Sequence, residues 1–187
     1  MLEFMERTVE AVTRLEASPE PVIEVLTADP AGVLGGTRVP GGETFVAPVA
    51  VDLGGGASLA VDVDMTFGRL PDEGGVGRFG LSWQASEHEG AFPAFGGDLE
   101  VHPDGEGTLL RLTGYYRPPL GAVGAFGDGL VGHRLARRAL QDFVEAVTTQ
   151  LQAALAARLV AAAPITDRAS RSARREQAVA GSELYLG

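Results

Sequence analysis

Among the residues of this 187-residue chain that could act as a general base or a metal ligand, none is a cysteine. A thiolate nucleophile, a disulfide and a cysteine-bound metal are therefore excluded. There are three histidines. His133 stands at the start of the longest helical pattern, near Asp128 and Tyr116. An imidazole beside a carboxylate can act as a general base or hold a ligand, and His133 with Asp128 is the one pair that fits this chemistry. The plainer reading is structural, with His133 bonding the proline–glycine corner at 118–121. His88 lies between Glu87 and Glu89, but sequence neighbours on an extended chain point to opposite sides, so the three do not converge on a metal. His102 falls on the outer side of a strand beside a turn and is expected to be solvated. Asp62 and Asp64 share a strand face, as paired carboxylates would, but that face is the wet one and their expected role is solubility. GVLGG and VDLGGGASL lack the strand–glycine–helix context and the lysine of a phosphate loop. No G-x-S-x-G is present, and Ser82 is an outward strand residue. No metal or other cofactor is expected.

These residues must be placed by strands and one long helix. Residues 5–15 alternate, with Val9, Ala11 and Leu15 opposed to Glu6, Glu10, Arg14 and Glu16, which suits a strand with one wet face. In SPEPVIEVL, Ser18 can cap a helix, Pro19 takes its first position and Pro30 ends it. A second short turn, AGVLGG, follows. Then come alternating runs: Phe45 to Leu53, Leu59 to Phe67, Phe79 to Ala85, Leu99 with Val101, and Leu110 to Tyr116. A slip of one residue swaps the faces of a strand, so register can be tested. Folding at 54–57 sets Val51 opposite Val61 and Val49 opposite Val63. Folding at 72–75 sets Met65 opposite Trp83 and Phe67 opposite Leu81, with Asp62 and Asp64 meeting Ser86 and Gln84 outside. Folding at 104–107 sets Leu99 opposite Leu112 and makes Glu100–Arg111 a cross-strand ion pair. Each hairpin puts apolar against apolar, so the meander has one apolar and one wet face.

From Asp128 the period becomes helical. Val131, Leu135, Ala139, Leu140, Phe143, Val147, Leu151, Leu155 and Leu159 form one stripe. A helix of about 30 residues would reach roughly 45 Å and is the element long enough to cover the apolar face. In GYYRPPLGAVG, Pro118 and Pro119 end strand pairing and the glycines let the chain bend toward the helix. The expected domain is 1–163, with 164–187 a polar tail.

Composition fits an ordinary globular domain: 45% hydrophobic, 21% charged and rich in glycine. The net charge of −10 argues against nucleic acid, whose binders carry a basic face. Residues 1–129 hold 7 arginines against 20 acids, whereas residues 130–175 hold 8 arginines against 3 acids. That basic stretch suits a solvated helix face and tail, or a contact with an acidic partner. There is no signal-peptide pattern and no run long enough for a membrane span, so a cytoplasmic location is expected.

The motifs AFPAFGGDLEV (91–101), TLLRLTGYYRPPLG (108–121) and GDGLVGHRLA (127–136), in the order strand, two short helices, meander, long C-terminal helix, resemble the START-like or SRPBCC superfamily. That superfamily includes Bet v 1-like proteins and polyketide cyclases, and the likeness, to a bacterial subgroup, covers roughly residues 4–157. It implies an α+β helix-grip fold, a curved antiparallel sheet wrapped on the long helix, with a cavity between them for an apolar or amphipathic small molecule. It carries over no catalytic residue, because the superfamily has no shared one.

The inward rows supply the expected ligand-binding residues: Val63, Met65, Phe67, Leu81, Trp83, Leu112 and Tyr116, with His133. Small residues at Ala47, Ala85, Gly114 and Ala139 would leave a void beside Trp83, Met65 and Tyr116. Three functions follow. The first is non-catalytic binding of a hydrophobic small molecule. The second is a cyclase or hydrolase using His133 and Asp128. The third is an interaction module with a filled core, a homodimer through the C-terminal helix, with an apolar patch around Leu151 to Leu159.

Overall fold

Alternation of apolar and polar residues is realised as one seven-stranded antiparallel sheet. A computed structural model describes residues 7–39, 44–54, 57–87, 94–117 and 129–162. The elements are β1 (Arg7–Leu15), α1 (Pro19–Ala28), α2 (Pro30–Val33), β2 (Thr37–Arg38), β3 (Thr44–Gly54), β4 (Ala57–Glu73), β5 (Val76–Ala85), β6 (Ala94–Asp104), β7 (Gly107–Arg117) and α3 (Gly129–Ala162). The strand order is β1-β7-β6-β5-β4-β3-β2, so the first strand closes the sheet beside the last. By compactness the chain divides into Met1–Leu155 and Ala156–Gly187. The sheet and α3 as far as Leu155 belong to the first unit; in the second, residues 156–162 are helical. The tail at 164–187, the corner at 118–124, His88 and Asp128 lie outside the described residues.

Two of the three hairpins keep the register that their apolar pattern dictates. Met65 faces Trp83 and Phe67 faces Leu81; Leu99 faces Leu112. The first hairpin differs. Val49 faces Val61 and Val51 faces Leu59, a shift of two residues from the expected pairing. A shift of two leaves every side chain on its own face, so the hydrophobic pattern cannot detect it. The tighter turn and a register irregularity between Asp52 and Gly54 set the pairing instead. β2 adds a seventh strand of two residues, too short to be seen in the sequence.

Asp64 does face Gln84, and Ser86 meets this strand by an amide bond to the Asp62 carbonyl (3.1 Å) and a hydroxyl bond to Asp64 (2.9 Å). The expected ion pair of Glu100 with Arg111 is not the one made. The two are register partners, but Arg111 bonds Glu10 of β1. That hydrogen bond and the Glu10 charge raise the Arg111 pKa above its ordinary value. Glu100 bonds His102 instead, at 2.9 Å, so His102 is part-buried in a side-chain pair. The closing of β1 against β7, which no local pattern reveals, supplies the competing carboxylate.

One face of the sheet is buried. α1 lies over the end near β6 and tucks Ile23 onto it, with Ala17, just before the helix, packed there too. Thr108 Oγ1, fully buried, donates to the Ala17 carbonyl at 2.6 Å. A Cβ at Gly77 would sit 2.6 Å from Ile23 Cδ1, so the glycine is what lets α1 approach β5. Pro19 takes the first turn of α1 as expected, whereas Ser18 holds the cap position without a side-chain bond. Asp29 caps α2 by accepting from the Gly32 amide at 3.1 Å.

α3 covers the rest with Leu140, Phe143, Val144, Val147 and Leu151. At 34 residues it is longer than the stripe requires. Leu151 is fully buried and Leu155 packs half-buried against the core, as the apolar stripe requires, so neither forms the exposed patch of the interaction-module reading. Leu159 and Val160 are exposed. No helix of the described chain is long and apolar enough to cross a membrane.

α3 also protects the β1 edge. The Gln141 side chain accepts from the Val12 amide at 3.4 Å and donates to the Val12 carbonyl at 3.1 Å, and its second N–H reaches Glu145 at 2.9 Å. One amide thus behaves as a single residue of an eighth strand, blunting an edge that would otherwise be open. Replacing Gln141 with Ala is expected to cost about 1 kcal/mol in urea unfolding. It should also speed hydrogen exchange at the Val12 amide more than at the Val9 amide.

Candidate functional site

The same strands present two candidate surfaces, one on each face. On the inner face, β4 contributes Val63, Met65 and Phe67, β5 contributes Leu81 and Trp83, and β7 contributes Leu112 and Tyr116. Successive strands set these rows side by side because Met65 faces Trp83, Trp83 faces Phe95 and Phe95 faces Tyr116. All except Phe67 are buried. Phe67 is half-buried and stacks on Phe79, with ring centroids 5.1 Å apart. His133 lies within α3, and its side chain is outside the described residues. Its pairing with Asp128, like the metal question at His88, therefore falls outside them too. Among the described residues, no three histidines, aspartates or glutamates come together as metal ligands.

Trp83 is the centre of this face. Phe95 stacks on it at 4.4 Å between centroids, and Phe143 of α3 meets it at 5.2 Å with a tilt of 49°. Its indole N–H is buried and makes no hydrogen bond. A buried donor left unpaired costs about 1–3 kcal/mol, and buried polar groups are nearly always satisfied. Indole offers a donor and no acceptor, so the group that would satisfy it must accept a hydrogen bond. Two hydroxyls share the face: that of Thr108 is already committed to the Ala17 carbonyl, and that of Tyr116 can both donate and accept.

Phe95 was not among the residues expected here. Pro93 and the glycines at 96 and 97 make its stretch look like a loop, yet β6 begins at Ala94. Its ring also corrects the expected void at Gly114. Gly97 and Gly114 face each other across β6 and β7. A Cβ at Gly114 would lie 2.6 Å from the Phe95 ring and 2.4 Å from the Gly96 carbonyl. The space of a missing side chain is filled by aromatic ring and neighbouring backbone.

The outer face carries a groove of about 820 Å³. Thr66, Ser82, Gln84, Gly96, Tyr115 and Arg117 are among its lining. All six belong to the outward rows, since Thr66 faces Ser82, Ser82 faces Gly96 and Gly96 faces Tyr115. This groove lies on the opposite side of the sheet from the apolar rows. Trp83, Phe95 and Tyr116 also border it, but alternation turns their side chains away, so it meets their backbone.

No protein-family model matches the chain, and no curated protein matches it significantly in sequence. Solved structures do match. The TTHA0849 protein of Thermus thermophilus superposes with a TM-score of 0.50 at 20% identity, over 79% of this chain and 99% of that one. Mll3558 from Rhizobium loti gives 0.47 at 19%, over 78% and 97%. The Zhui aromatase/cyclase from Streptomyces sp. R1128 gives 0.46 at 20%, over 79% and 94%. At such identities the likeness is one of fold. The α+β helix-grip architecture expected from the sequence is the architecture observed: short helices after β1, an antiparallel sheet and a long C-terminal helix packed on it.

Proposed function

We propose that the protein binds a hydrophobic or amphipathic small molecule between the inner sheet face and α3, without catalysing a reaction. The observation that carries this reading is the unpaired indole N–H of Trp83 within a wall that is apolar apart from the Thr108 and Tyr116 hydroxyls. Small-molecule sites combine an apolar lining with a few placed polar groups that orient the ligand. Val63, Met65, Leu81, Leu112 and Tyr116 supply the lining, and Trp83 supplies a donor. The ligand is therefore mostly apolar and carries a hydrogen-bond acceptor, such as a carbonyl, ether or phenolic oxygen. Among the described residues, the inner face offers no carboxylate or imidazole for proton transfer. This favours carriage or sensing over cyclase or hydrolase chemistry, which needs a titratable group at the reacting atom.

Trp83 is the only tryptophan in the chain, so intrinsic fluorescence reports on this position alone. Titration of the full chain with 1-anilinonaphthalene-8-sulfonate should quench Trp83 saturably, with energy transfer to the probe. Native mass spectrometry of freshly purified protein should show a ligand-bearing species beside the free chain. Absence of both saturable quenching and any bound mass would sink the proposal.

A further inference from the structure

We propose that the groove on the outer sheet face is a second binding site, for a neutral saccharide of two or three units. Its volume of about 820 Å³ lies within the roughly 300–1,000 Å³ of small-molecule sites, in a groove that is open to solvent along one side. The concavity has a local cause. Its floor is built from small residues, Ser82 and Gly96, and at Gly96 no atom lies within 4 Å of where a Cβ would be. Larger groups stand at the sides. Tyr115 and Val39 both line the groove and are two of the most exposed large hydrophobic residues of the described chain, at 55% and 41%. An aromatic ring held open beside polar groups is an amphipathic surface, with a flat apolar face next to hydrogen-bonding edges.

The polar groups suit hydroxyl groups in particular. Thr66 and Ser82 each offer a hydroxyl that both donates and accepts, and Gln84 offers two donors and an acceptor. A sugar hydroxyl needs that mixed capacity, whereas a carboxylate or phosphate needs donors alone. Charge agrees. Among the described lining residues, Asp64 and Arg117 supply one formal charge of each sign, a balance that favours neither anion nor cation. Thr66, Ser82, Gly96 and Tyr115 lie on adjacent strands in one row. Strands are about 4.8 Å apart, close to the length of one sugar residue, so a short chain laid across the strands meets a new position at each ring.

Tyr115 then stacks on the apolar face of one ring while the hydroxyl and amide groups hold the next. Cleavage is not part of this proposal. Glycoside hydrolysis uses a pair of carboxyl groups across the scissile bond, and Asp64 is the only carboxylate among the described lining residues.

The test uses the full chain, labelled with nitrogen-15 and titrated with maltotriose, cellotriose and chitotriose. At least one trisaccharide is expected to shift the Ser82, Gly96 and Tyr115 amides saturably. Tyr115→Ala should weaken that binding about tenfold, the scale of one aromatic contact. The ring is exposed, so the variant should fold normally, which its circular dichroism will check. No saturable shift with any of the three, shifts confined to inner-face amides such as Met65 and Leu112, or unchanged affinity in Tyr115→Ala would each overturn the proposal.

Discussion

Gly114→Val is expected to unfold the protein or leave it destabilised by about 3 kcal/mol or more, the scale of a severe overpacking change. The new Cβ would meet the Gly96 carbonyl at 2.4 Å and the Gly97 Cα at 2.8 Å, as well as the Phe95 ring at 2.6 Å. A flexible side chain can move aside; two stretches of backbone locked into a ladder cannot. The same holds on the facing strand, where a Cβ at Gly97 would lie 2.2 Å from the Thr113 carbonyl. Even Gly114→Ala should lower the urea midpoint clearly. Gly96→Ala, one position away and pointing outward into open space, should change it by less than about 0.5 kcal/mol, as surface changes do. If Gly114→Ala and Gly96→Ala proved equally mild, the close β6–β7 approach would be wrong.

The second large effect separates the packing of Trp83 from its proposed contact with a ligand. Trp83→Ala removes a ring packed between Phe95 and Phe143 and should cost about 3–5 kcal/mol. Trp83→Phe keeps much of the aromatic volume and deletes the unpaired N–H. In the free protein that deletion removes an unsatisfied buried donor worth about 1–3 kcal/mol, which offsets the lost ring area. Trp83→Phe should therefore unfold within about 1 kcal/mol of the parent. Its affinity for an acceptor-bearing apolar ligand should nonetheless fall about tenfold. This split between stability and binding, read by urea unfolding and by competition for a co-purified ligand, is the signature of a donor kept for a guest. Equal losses in both would make Trp83 a packing residue only.

The inner face was legible from the sequence because alternation survives any even slip. Val63, Met65, Leu81, Trp83, Leu112 and Tyr116 were all assignable to one side, and the side chosen is the buried one. The same property hid the two-residue shift at the first hairpin. Phe95 was missed because proline and paired glycines normally mark a loop, whereas Gly97 is needed for close strand approach. The partner of Arg111 depended on β1 arriving from a hundred residues away, which no hairpin rule encodes. The outer groove was invisible for a different reason. Its residues are the polar and small ones that any solvated face carries, and only the pairing of four strands sets the small Ser82 and Gly96 side by side between larger neighbours.

The Gln141 bonds to Val12 reach further than their energy. Growth of a fibre by strand addition needs two docking flanks on every molecule, one to receive and one to offer. Here the helix occupies the middle of one flank, and among the described residues the flank beyond the two-residue β2 is the β3 side. Two copies joined through that side would use up both of their receptive flanks at once, giving a closed pair with no place for a third. A single glutamine thus works against runaway stacking of the folded molecule.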